Sequence, residues 1–181
     1  MGVLQAYQKA INGTKLAGPT YFGKYLALIE NEILENIKYG HEKNREYHLA
    51  IIITDGACHD MIETRRLLVN MSGMPFSSVI VGVSVDPENE DFADMEKLDA
   101  DEEVLKDEHG RAAVRDIVQL VKYNDFKDLG MRELALEVLG EVPDQFVDYM
   151  VMMKVTPDQL HHVEPLPMPK DKSTPEGETA N

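Results

Sequence analysis

Two short runs of β-branched and apolar residues decide what this chain can fold into. His48-Leu49-Ala50-Ile51-Ile52-Ile53-Thr54 and Ser78-Val79-Ile80-Val81-Gly82-Val83 are apolar almost throughout, as expected of strands covered on both faces in a parallel sheet. Between them, Asp60 to Met71 has helical spacing, with Leu67, Leu68 and Met71 facing inward and Gly73 and Pro75 closing the segment. Two strands joined through a helix form a parallel pair with a right-handed crossover. A third strand is expected at Ile117-Val118-Gln119-Leu120-Val121, after an acidic connection over residues 86–110 that holds one helical turn near Phe92 to Leu98.

The remaining segments supply helices. Val3, Leu4, Tyr7, Ala10 and Ile11 recur at spacings of three and four. Phe22, Leu26, Ile29, Ile33 and Ile37 form a longer stripe, which Gly40 is placed to end. Two more helices are predicted over about 131–139 and 143–153, with Pro143 suited to a first turn. The fold class is therefore α/β: a partial doubly wound, Rossmann-like, three-layer domain, with a mainly parallel sheet and helices on both faces. It occupies residues 1–155, and the proline- and charge-rich segment 156–181 reads as a disordered tail. Three strands are few for such a fold, which usually has about five or six.

Charge and cysteine content narrow the function. With 18 basic against 33 acidic residues the net charge is −15, which repels nucleic-acid phosphates and anionic lipid heads. Cys58 is the only cysteine, so there is neither an internal disulfide nor a thiolate zinc site, and a reducing, cytoplasmic setting is expected. No basic segment followed by an apolar run marks an export signal.

Two polar elements fall where α/β sheets place ligand sites: Gly18-Pro19-Thr20 before a helix, and Thr54-Asp55-Gly56-Ala57 after a strand. Each has a simpler explanation, Thr20 as the N-cap of the following helix and Asp55 as the carboxylate of an Asp-Gly turn. Cys58 and His59 would be a nucleophile and base only if they aimed at one point, which adjacent residues rarely do. The run Asp86 to Glu108 holds twelve carboxylates, but an EF-hand register through Asp99, Asp101 and Glu103 puts Val104 where glycine is needed. No nucleophile elbow, His-Glu-x-x-His or lysine-bearing phosphate loop occurs.

The chain resembles the copine family in Gly18-Pro19-Thr20-Tyr21-Phe22, in Ile51-Ile52-Ile53-Thr54-Asp55-Gly56 and in Asp60-Met61 with Thr64 downstream. Further matches follow in family order: Val79 to Val83, Asp91-Phe92, Met95-Glu96, Leu98-Asp99, Arg115 to Gln119, Leu134-Ala135, Val138-Leu139 and Glu141 to Gln145. The resemblance implies a von Willebrand A domain that binds a divalent ion through three loops. Thr20 then corresponds to the second-loop ligand and Asp55 to the third-loop ligand. The first-loop signature, Asp-x-Ser/Thr-x-Ser, occurs nowhere in the chain, which reads as starting after it, so the metal site is incomplete and magnesium or calcium would bind weakly.

The resemblance further implies a non-enzymatic module that binds other proteins, with a family-level role in calcium-dependent phospholipid binding and membrane-linked signalling. Phospholipid contact would come only through lipid-binding domains absent here or through a longer form, and recruitment from cytoplasm to plasma membrane would follow. The alternatives are a relative of copine-like ubiquitin ligases lacking its RING module, a hydrolase using Asp55, and a non-functional gene fragment. An apolar strand at Leu49 to Thr54 without its neighbour would leave a sheet edge suited to homodimerisation.

Overall fold

The computed structural model describes residues 2–15, 18–38, 46–86, 91–99 and 103–159. The three expected strands are present as β1 (His48–Thr54), β2 (Phe76–Gly82) and β3 (Val118–Lys122). They form one sheet in the order β1-β2-β3, with both pairs parallel. Seven α-helices are described: α1 (Val3–Gly13), α2 (Gly23–Lys38), α3 (Met61–Met71), α4 (Ala93–Glu96), α5 (Tyr123–Phe126), α6 (Met131–Val138) and α7 (Val142–Met152). A 3-10 turn, Pro157–Gln159, follows. Gly40 and residues 160–181 of the expected tail lie outside the described residues.

The alternation of side chains along each strand separates two apolar layers. On one face, Ala50, Ile52, Phe76, Ile80, Val118 and Leu120 meet Phe22, just before α2, Leu26 and Ile33 of α2, and Leu67, Leu68 and Met71 of α3. On the other, Val79, Val81 and Val121 meet Leu134 and Val138 of α6 and Val142 of α7. Helices thus cover both faces, as an α/β fold requires. Ile37, expected to continue the buried stripe of α2, is exposed.

Coverage is uneven at β1, and here the expectation of a strand buried on both faces needs correction. Ile51 is in register with Val79 and Ile53 with Val81, so these side chains share a face. Yet Leu49, Ile51 and Ile53 are 38, 50 and 65% exposed, since α6 and α7 stop over β2 and β3. Among the described residues β1 pairs with β2 alone and is an edge strand.

At the opposite end of the strands Arg115 gathers distant segments. Its guanidinium donates to the carbonyls of Met74 and Phe76 (both 2.6 Å) and Gln145 (3.1 Å) and to the Tyr47 hydroxyl (3.3 Å). The Tyr47 and Tyr149 rings lie 5.9 and 5.5 Å from its central carbon. A planar fork with five donors suits several converging carbonyls, which an ammonium would not serve equally.

Candidate functional site at the carboxyl edge of the sheet

Residues 18–22, which enter α2 after a cis Gly18–Pro19 peptide, are clasped to residues 55–60, which leave β1. The His59 N–H donates to the Thr20 carbonyl (2.9 Å), and the Thr20 N–H donates back to His59 Nδ1 (3.1 Å). Beside this pair, Asp60 accepts the Phe22 N–H on Oδ1 (3.0 Å) and the Gly23 N–H on Oδ2 (2.9 Å). These are orphan donors at the start of α2, so a carboxylate nearly forty residues downstream caps that helix. Thr20 was expected to be the cap; its place is taken by Asp60, and Thr20 is instead fixed through its backbone.

Asp60 also accepts from the Thr64 hydroxyl (3.2 Å) and the Cys58 thiol (3.5 Å). Partial burial works against its charged form, but the Phe22 and Gly23 N–H groups, with Cys58 and Thr64, outweigh that and hold Asp60 below its ordinary value of 3.8. Gly23 permits the contact: a Cβ there would sit 2.8 Å from Asp60 Oδ2 and 2.9 Å from Glu63 Cγ.

The Asp-Gly turn after β1 forms as expected, although Asp55 shares its role with a neighbour. Asp55 Oδ1 accepts the Ala57 N–H at 3.4 Å, while Thr54 Oγ1 accepts the Gly56 N–H at 3.2 Å. Gly56 has a φ of +105°, and a Cβ on it would meet the Asp91 carbonyl at 2.2 Å. Gly82, at the end of β2, faces the Phe92 ring, whose atoms lie 2.6–3.0 Å from where its Cβ would be. The buried Phe92 ring therefore fits against two glycines and brings the loop before α4 onto the strand ends.

Cys58 and His59 do not form a nucleophile–base pair. The Cys58 sulfur contacts Asp60 and Thr64 (3.6 Å to the Thr64 hydroxyl), whereas His59 turns to Thr20. Burial pushes the Cys58 thiol up from its ordinary value, the opposite of what a nucleophile needs. Thr20, Asp55 and His59 are all exposed on this lip. A hollow of about 300 Å³ beside it is lined by Tyr21, Gly23, Lys24, Ala27, Asp60 and Glu63.

A hard divalent cation needs about six oxygens. Thr20 and Asp55 offer one hydroxyl and one carboxylate, and Asp60, the next carboxylate along, already has four donors upon it. Among the described residues no group of three or more His, Cys, Asp or Glu side chains is arranged to hold a metal ion. The described residues do not fit a tightly held cation. Of the rejected EF-hand register, Asp101 lies outside the described residues; further on, buried Asp107 accepts the His109 and Arg111 N–H groups in a tight turn.

Asp60 and His59 are the residues whose part in the site was not read from sequence. An acid immediately before a helix reads as a cap of that helix, yet α3 receives no side-chain cap from Asp60.

A parallel sheet, helices on both faces and polar loops locked together at the strands' carboxyl ends define an α/β domain, consistent with the von Willebrand A fold. A sequence model of the copine family matches residues 1–158, and the chain belongs to that family. It is 38% identical over 159 residues to nicotinic receptor-associated protein 1 of Caenorhabditis briggsae, a match covering 82% of this chain and 24% of the relative. The chain thus spans about a quarter of that relative's length.

Proposed function

We propose that the chain is a non-enzymatic protein-binding module acting in the cytoplasm and drawn to the plasma membrane through its partners. The observation that supports this most is the clasped lip itself: backbone bonds and the Asp60 carboxylate fix the loops, leaving the Thr20, Asp55 and His59 side chains facing outward. Such preorganisation favours binding, because little loop entropy is lost on contact. The relative's name supports a membrane receptor as the kind of partner. Calcium-dependent phospholipid binding belongs, in this reading, to the lipid-binding domains of longer copines. Magnesium or calcium at Thr20 and Asp55 is held weakly, with Kd about 1 mM or weaker, water completing the shell.

The test is retention of solubilised nicotinic receptor on the immobilised chain, with and without magnesium. Retention reduced by a Thr20→Ala/Asp55→Ala double substitution is expected. No retention under either condition, or calcium-dependent sedimentation of this chain with phosphatidylserine vesicles, would show the reading to be wrong. Titration calorimetry with magnesium gives a separate check, since micromolar binding abolished by Asp55→Ala contradicts an incomplete site.

A further inference from the structure

Among the described residues two apolar surfaces lack a partner, and they are complementary in kind. Helix α1 carries Val3, Leu4, Tyr7 and Ile11 on one stripe, all 51–89% exposed, and has no buried residue. Strand β1 offers Leu49, Ile51 and Ile53 on the face that α6 and α7 leave uncovered. One is a helix without a sheet, and the other is a sheet face without a helix. An eleven-residue helix is about 16 Å long and a seven-residue strand about 23 Å, so the first fits within the second.

Charge points the same way. Residues 1–29 hold Lys9, Lys15 and Lys24 and no carboxylate, so this segment is cationic in a chain of net charge −15. The remaining residues hold 15 cations against 33 carboxylates. Strand β1 has no charged residue of its own and is bracketed by exposed Glu46 and Asp55. The amphipathic α1, with Lys9 within it, Lys15 just after it and no carboxylate, and an apolar strand with acidic ends attract one another, while two bare β1 edges on acidic bodies repel.

We infer that the chain self-associates reciprocally, with α1 of each copy lying across the Leu49, Ile51 and Ile53 face of the other. The arrangement is isologous and closed, which limits assembly to a dimer. Each copy contributes seven large apolar side chains, enough to approach the roughly 1,000 Å² that a specific interface needs. The contact shares only Asp55 with the loop lip, and self-association does not require the receptor-binding role proposed above.

Sedimentation equilibrium of the full chain, at 1–200 µM and two salt concentrations, tests this on the scale of roughly micromolar affinities. The expected result is a dimer weakened by salt. A Tyr7→Asp/Ile11→Asp variant and, separately, Ile51→Asp should each raise Kd at least about 10-fold while retaining the native circular dichroism. Should Ile51→Asp fail to fold, cross-linking decides: Ala10→Cys chains mixed with Ile53→Cys chains should form a mixed disulfide. A monomer at 200 µM, a dimer indifferent to the α1 variant, or a disulfide that forms only when both cysteines are on one chain would each overturn the proposal. So would binding of α1 to anionic vesicles by a protein that stays monomeric.

Discussion

Replacing Asp60 by alanine removes the cap of a helix that lies almost forty residues earlier in the chain. Loss of a capping side chain costs about 1 kcal/mol. Here a single carboxylate serves two backbone donors, Phe22 and Gly23, and hydrogen bonds to a charged group are each worth about 1.5–3 kcal/mol. Water can reach part of the vacated site, so we expect a net loss of about 2–3 kcal/mol, or about 4–12 °C in Tm for a domain of this size. Asp60→Asn keeps one acceptor oxygen and turns an amide toward the other N–H, so it should lose nearly as much.

The dependence on pH separates charge from shape. Because Asp60 is held below 3.8, its contribution is complete above that value and fades as pH falls through the lower folded-state value. Wild type and Asp60→Asn should therefore converge in strong acid, separate as the pH rises toward about 5 and differ by a constant amount above it. Urea denaturation between pH 2.5 and 7 measures this, and hydrogen exchange at residues 22–26 locates it. A variant as stable as wild type at pH 7, with the start of α2 still protected, would refute the capping role.

Other substitutions test the packing around the same lip. Gly56→Ala should be the more damaging of two glycine changes, about 3 kcal/mol or more, because its φ is positive and the group it strikes is backbone; Gly82→Ala, striking the Phe92 ring, should cost about 1–3 kcal/mol, both read from urea midpoints. Cys58 should resist a thiol reagent at pH 7.5 in the folded protein and react at once in urea, as burial and a raised thiol value require. Arg115→Lys should lower stability by about 2–4 kcal/mol, because one ammonium cannot serve the Met74, Phe76 and Gln145 carbonyls together, and thermal denaturation checks it.

What the sequence disclosed follows the range of each interaction. The strand runs and helical stripes depend on neighbours three or four residues away, so all three strands and the long helices were legible from periodicity. The family motifs marked Thr20 and Asp55, and both side chains lie exposed on the lip where α/β folds place sites. Asp60 was not legible as the cap of α2: its partners, Phe22 and Gly23, are 38 and 37 residues away, and such a bond leaves no repeat in the sequence. The isoleucines of β1 read as buried on both sides because composition reports affinity for a covering layer, not whether one is present. Helix α5 was missed for a related reason, since four residues are too few to show a period.

The Arg115 fan has a temporal side. Tyr47, Met74, Phe76 and Gln145 are separated from it by 68, 41, 39 and 30 residues, so the fan is completed only when α7 has left the ribosome. A nascent chain stopped between Lys122 and Gln145 holds all three strands and the Arg115 guanidinium but lacks the last carbonyl that the guanidinium bonds.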